Sequence, residues 1–132
     1  MTEKAPKLST VLTRAAKWID EHGLAKGDYW KHRNGRPLSS NLTVFEQVEL
    51  AKEKGCKACT WGGLYIGSYE QGIDSNEWSL AAEEAAGYVR DQLDEDQRWI
   101  GVPDWNDKKE RTKAEVVSVL KDAAKAARKD GK

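Results

Sequence analysis

Apolar residues recur at helical spacing at both ends of this chain, and that pattern limits its fold more than any other feature. Near the start, Leu8, Leu12, Ala15, Ala16 and Ile19 fall on one face, each three or four residues from another of the set. Near the end, Val116, Val117, Leu120, Ala123, Ala124 and Ala127 do the same. A 3.6-residue period gathers each set on one face of a helix, and such a face must be buried against another element. Between them, Trp78, Ala82, Ala85, Val89 and Leu93 mark a third stripe. Ala82, Ala85, Ala123 and Ala124 predict close helix-to-helix contact. The expected architecture is therefore all-α, with about five helices in helix-on-helix layers and one small β-hairpin. At 132 residues the chain is read as a single helical domain over 1–132, with residues 1–7 and 128–132 frayed.

Local signals suggest the boundaries. Ser9 or Thr10 can cap the first helix, and Gly23 is placed to end it. The stretch from Gly27 to Leu38 reads as the hairpin: Tyr29 and Trp30 favour extended backbone, Asn34-Gly35 suits the turn, and Pro37 restricts it to an edge. Thr43 to Lys54 reads as a second helix with Val44, Phe45, Val48 and Ala51 inward and Gly55 at its end. The glycine-rich segment Gly55 to Gly67 has the apolarity of a buried helix, and its glycines suit a place where backbones approach closely. Ser75 can cap the helix reaching Leu93, whereas Asp94 to Arg111 reads as a long connection. Thr112 and Glu115 form a capping-box pattern ahead of the last helix.

Charge removes several function classes from the front rank. The 22 basic and 22 acidic residues cancel, so no global field draws the chain to nucleic acid or an anionic membrane. No apolar run approaches the roughly 20 residues of a membrane span. The polar opening Met1–Lys7 does not read as a signal peptide, and two cysteines do not make a secreted disulfide scaffold. The expectation is a reduced, cytoplasmic protein. Six tryptophans are the compositional oddity, each a large apolar surface with one polar N–H.

Two motifs carry a family resemblance. Cys59-Thr60-Trp61-Gly62-Gly63-Leu64 resembles a Cys-x-x-Gly-small-Leu core, and Trp105-Asn106-Asp107 precedes Thr112 and the Val116–Ala124 helix. With the opening helix and the Gly35-Arg36-Pro37 turn, they resemble a small uncharacterised family of actinobacteria and their phages. The helix from Thr43 looks like an insertion or divergence within it. The resemblance implies a compact helical fold and an actinobacterial or actinophage setting; it supplies no substrate and no catalytic residue.

Cys56-Lys57-Ala58-Cys59 is the one motif with the spacing for redox chemistry. A helix starting at the first thiol would activate it, but a helix and a glycine precede the motif where redox proteins have a strand. Buried structural cysteines are the favoured reading. A metal site would need further ligands, and only His22 and His32 are available, ten residues apart. Cys59 with His32 and Asn106 could form a nucleophile, base and orienter, though nothing in the sequence brings them together. Gly62-Gly63 lacks the lysine and hydroxyl residue of a phosphate loop.

Trp105, Asn106 and Asp107 read first as a core plug and a polar turn. Their functional reading makes Asn106 and Asp107 polar anchors at the mouth of a pocket lined by Trp61 and Trp105, with Tyr65 a turn along from Trp61. Lys26, Lys31, His32, Arg33 and Arg36 make the hairpin basic, with Tyr29 and Trp30 interleaved, the local pattern that single strands require, although a solvated hairpin with one face packed is the favoured reading. The acidic cluster Asp91, Asp94, Glu95 and Asp96 falls at the C-terminal end of the Ser75 helix, the unfavourable end, where Lys108, Lys109 and Arg111 could offset it.

Three functions remain open on these residues. The leading one is a non-enzymatic protein-binding accessory factor, phage-encoded and acting on a host protein or on its own homodimer. Its binding candidates are Trp61, Tyr65, Trp105, Asn106 and Asp107, with no catalytic residue, metal or cofactor. The second is a small thiol-dependent enzyme or redox protein centred on Cys56 and Cys59. The third is nucleic-acid binding through the Tyr29–Arg36 hairpin.

Overall fold

A computed structural model describes residues 6–39, 41–70 and 72–132. Among the described residues the chain forms six α-helices and one two-stranded antiparallel sheet. Helix α1 (Leu8–His22) buries the expected stripe and lies at the centre, packed mainly on α6 (Lys113–Lys129) and α3 (Thr60–Ser68), with α4 (Ser75–Asp91) completing the layer. The apolar stripe of α6, from Val116 to Ala127, is likewise buried along its length. So is the α4 stripe of Trp78, Ala82, Ala85 and Val89, together with Leu93 beyond the helix end. Alanines dominate the α4 and α6 faces and so bring these helices close.

Caps explain most boundaries. Gly23, with φ 107°, ends α1 in a conformation that glycine alone adopts readily. Neither Ser9 nor Thr10 caps its start: the residue there is Lys7, without a side-chain cap, and the Ser9 N–H and hydroxyl both donate to the Lys132 main-chain oxygen. The last residues, expected to fray, are thus bonded to the first helix, and the Lys132 N–H returns to Ala127 O at 2.9 Å. Helix α2 (Val44–Lys54) opens with a Thr43–Glu46 capping box and closes on left-handed Gly55. Only Val48 and Ala51 of its expected inward set are buried; Val44 and Phe45 are each 42% exposed, because the helix turns its first-turn apolar side outward. The Ser75 side chain lies outside the described residues, and the cap of α4 is Asp74, whose carboxylate accepts the Asn76 N–H.

The segment read as a long connection contains helix α5 (Glu95–Asp107). It is two short helical pieces meeting at Gly101, where φ is 83° and ψ is 165°. Pro103 sits in the first turn of the second piece, where a missing N–H removes no helical bond. Neither piece is long enough to show a periodic apolar face, which is why periodicity passed over it. The local signal was the Asp94–Gln97 capping box. The same helix overturns the reading of the acidic cluster. Asp94, Glu95 and Asp96 occupy the N-terminus of α5, where the helix dipole stabilises negative charge.

The small sheet pairs β1 (Trp30–Lys31) with β2 (Lys57–Ala58), so Trp30 lies opposite Ala58 and Lys31 opposite Lys57. The Asn34-Gly35 turn also forms: Gly35 has φ 88°, the His32 N–H bonds Arg36 O, and Lys31 bridges to Pro37. That arm contributes one bridge, whereas the ordered pairing comes from the segment before α3. The Tyr29 carbonyl meets α3 at Gly62, and Trp30 donates its indole N–H to the Gly62 carbonyl at 3.1 Å.

Glycine is required at two positions of α3. A Cβ on Gly62 would overlap the Tyr29 carbonyl, and one on Gly67 would overlap the Val11 carbonyl. Both neighbours are backbone and cannot step aside. Gly62→Ala is expected to lower unfolding free energy by about 1–3 kcal/mol through overpacking. Gly87→Ala, on α4 with open space at its Cβ, is expected to raise it by about 0.5–1 kcal/mol. Urea denaturation of both variants checks the contrast; equal effects would refute the close-approach account.

Candidate functional site

The beginning of α3 is the polar centre of the molecule. Cys59 is its N-cap residue, and the thiol sulfur accepts the Gly62 N–H at 3.3 Å. Next to it the Asn106 side chain, 1% exposed, joins three segments. Its Oδ1 accepts both the Thr60 N–H at 2.8 Å and the Thr60 hydroxyl at 2.6 Å. Its Nδ2 donates to Ala25 O and to Asp107 Oδ1, each at 3.0 Å. The amide is thus bonded at both ends, tying α5 to α3 and to the loop after α1. Trp105, its chain neighbour, is also buried, with the Arg111 guanidinium 4.5 Å from its ring centre.

Asp107 faces outward from this centre. Its Oδ1 also accepts the Gly27 N–H at 3.0 Å, while its second oxygen has no partner among the described residues. Beside it opens a cleft of about 230 Å³. Tyr29, Trp61 and Pro103 form its apolar walls, and Asp28 and Asp107 supply its charge. The Cys59 thiol reaches its wall. Tyr65, half-buried behind it, packs against Tyr29, Trp30, Trp61 and Trp78 at ring-centre distances of 5.6, 6.1, 5.8 and 5.5 Å. These tilted and edge-on contacts give the cleft wall a rigid backing.

The residues expected to form one pocket are divided by the structure. Trp61 and Asp107 line the cleft, Tyr65 supports it, and Trp105 and Asn106 are buried within the scaffold. Tyr29 and Pro103 were not expected at the site; nothing in their local sequence predicts that the strand and the kinked helix meet there. A wider cleft of about 500 Å³ lies between Arg14, Trp18, Lys52 and Tyr69. Two of its groups are already engaged, Arg14 with Glu70 at 2.7 Å and the Tyr69 hydroxyl with Glu49 at 3.1 Å.

The geometry does not assemble a thiol catalyst from the candidate residues. Both cysteines are free and buried. Burial pushes the Cys59 thiol up to about 11, outweighing the Gly62 and Trp61 N–H groups that favour the thiolate; the Asp107 charge pushes the same way as burial. Cys56 is also raised by burial, partly offset by Lys54. His32 lies 3.9 Å from the Cys56 sulfur, not beside Cys59, and Asn106 is committed to Thr60 and Ala25. His22 stacks on Trp18 at 4.0 Å. Among the described residues no group of three metal-ligating side chains comes together. Of the two aromatics in the basic hairpin, Trp30 is buried, which leaves Tyr29 alone for stacking beside exposed Arg33 and Arg36.

A mostly helical fold with an open aromatic and acidic cleft at the start of a glycine-rich helix is the class that this fold and site define. The chain belongs to a family of unknown function (DUF6197), whose family model matches residues 3–126. No curated protein and no solved structure matches it. No helix among the described residues is long and apolar enough to cross a membrane.

Two predictions follow from this geometry. Asn106→Ala leaves the Thr60 N–H and the Ala25 carbonyl buried without partners, so unfolding free energy is expected to fall by about 2–3 kcal/mol in chemical denaturation. The second concerns pH. Because Cys59 holds its proton more tightly when folded than the ordinary value of 9.0, its contribution to stability is complete below pH 9 and is lost as pH rises towards about 11. Cys59→Ser keeps a capping acceptor and removes this titration, so the stability gap between wild type and variant should shift in the variant's favour between pH 9 and 11. A gap constant across that window would show that the buried thiol does not titrate as described.

Proposed function

We propose that this chain is a non-enzymatic, cytoplasmic binding protein that docks a protein partner on the face carrying the Trp61 cleft and Trp99. The observation that carries this reading is Trp99, which is 85% exposed and followed by Ile100 at 39%. Both side chains stand on the first piece of α5, held by its Asp94–Gln97 capping box, and Pro103 of the cleft follows on the second piece. A tryptophan left in water on an ordered helix keeps a large apolar surface available, and tryptophan is enriched among the residues that dominate binding energy. Tyr29, 43% exposed, adds a second aromatic at the cleft. In the actinobacterial or actinophage setting implied by the resemblance, the partner is a host protein; a second copy of the chain is the other occupant of the same chemistry.

Trp99 makes no core contact, so Trp99→Ala should change unfolding free energy by no more than about 0.5 kcal/mol. The test is capture of a saturable partner from actinobacterial lysate by the tagged chain, beside sedimentation of the pure protein. Trp99→Ala, folded and equally stable, is expected to lose the partner or the self-association. A variant that retains either in full removes Trp99 from the surface, and a wild-type chain with neither overturns the reading.

A further inference from the structure

We infer that the cleft between Tyr29, Trp61 and Pro103 receives an arginine side chain of the protein partner, with the guanidinium against the aromatic walls and its N–H groups on Asp28 and Asp107. This assignment rests on the docking reading above and names the chemistry of one contact within it. Size is the first reason. At about 230 Å³ the cleft lies below the roughly 300–1,000 Å³ typical of sites for whole small molecules, and suits a single inserted side chain.

Charge is the second. Both carboxylates at the cleft are acceptors, and among the described residues no lysine or arginine lines it. Asp28 makes no hydrogen bond or ion pair among the described residues, and one oxygen of Asp107 is free. The nearby Lys26 ammonium donates instead to the Lys108 and Lys109 carbonyls. An apolar occupant would strip water from two carboxylates and return nothing, whereas a cation satisfies them. With a net charge of zero over the chain, this attraction is local to the cleft.

Shape separates arginine from lysine. A guanidinium is planar, stacks on aromatic faces and forks towards two acceptors, while an ammonium is a compact, strongly hydrated point charge. The chain already uses this chemistry once, where Arg111 lies over Trp105 and pairs with Glu115 at 2.7 Å.

The test uses the full ¹⁵N-labelled chain and three capped tripeptides, Gly-X-Gly, in which X is arginine, lysine or the uncharged isostere citrulline. Saturable shifts are expected at the Gly27 amide and the Trp61 indole with the arginine peptide, at least tenfold weaker binding with citrulline, and weaker binding with lysine. Asp28→Asn, which touches no other described polar group, should weaken the arginine peptide severalfold and leave the melting temperature in place; Asp107→Asn retains the acceptor for Gly27 and should do the same. Equal binding of citrulline and arginine, shifts located elsewhere, or no saturable shift would each overturn the assignment. So would shifts at Gly27 that grow with chain concentration without peptide, since they would make the donor a second copy. A captured partner that is lost in Trp99→Ala yet kept in both aspartate variants would leave the docking reading standing and the arginine assignment refuted.

Discussion

The contact of α3 with its neighbours through bare backbone is the constraint on which the rest of the structure depends. Gly62 lies against the Tyr29 carbonyl, Gly67 against the Val11 carbonyl, and Gly63 against Ile19. A side chain at the first two would push the helix away from both β1 and α1. That separation would break the Trp30–Gly62 hydrogen bond and open the seam over which Tyr65 gathers the aromatic rings. Glycine weakens a helix by about 1 kcal/mol per residue, so α3 is a poor helix in isolation and is stabilised by what it packs against.

That burial decides the chemistry of the cysteine at its start. A helix N-terminus stabilises a thiolate by about 0.3–1 kcal/mol at an exposed site, less than the ~1.4 kcal/mol that moves a pKa by one. Removing the sulfur from water acts the other way and wins. Cys59 becomes a protonated capping atom, its sulfur an acceptor for the Gly62 N–H. Asn106 follows the same logic. A polar residue beside a tryptophan invites a functional reading, but at 1% exposure its amide must satisfy the backbone around it, and it does so by joining α5, α3 and the loop after α1.

The six tryptophans divide by this geometry. Trp30, Trp78 and Trp105 are buried, Trp18 and Trp61 are half-buried, and Trp99 is left in solvent. Trp18 spends its N–H on the Cys56 carbonyl at 2.9 Å. The surplus noted in the composition is thus mostly core and scaffold, and the surface it leaves accessible lies at Trp99 and, in part, at Trp18 and Trp61. Trp99 stands on the first piece of α5, and Trp61 lines the cleft at the start of α3.

Periodicity by itself determined the faces of α1, α4 and α6, and capping chemistry marked the start of α6 and the glycine end of α2, because those signals act between residues a few positions apart. The same sequence rules misplaced Ser9 and Thr10 as caps, turned Val44 and Phe45 inward, and passed over α5, whose two pieces are each too short for a pattern to repeat. At the site, Trp61 and Asp107 were legible as chemistry, but not that Tyr29 and Pro103 would wall the same cleft. Tertiary structure alone decided which tryptophan faces water, which thiol keeps its proton, and which carboxylate oxygen stays free. Each is a matter of solvent access and of neighbours tens of residues away, and short-range spacing carries no information about either.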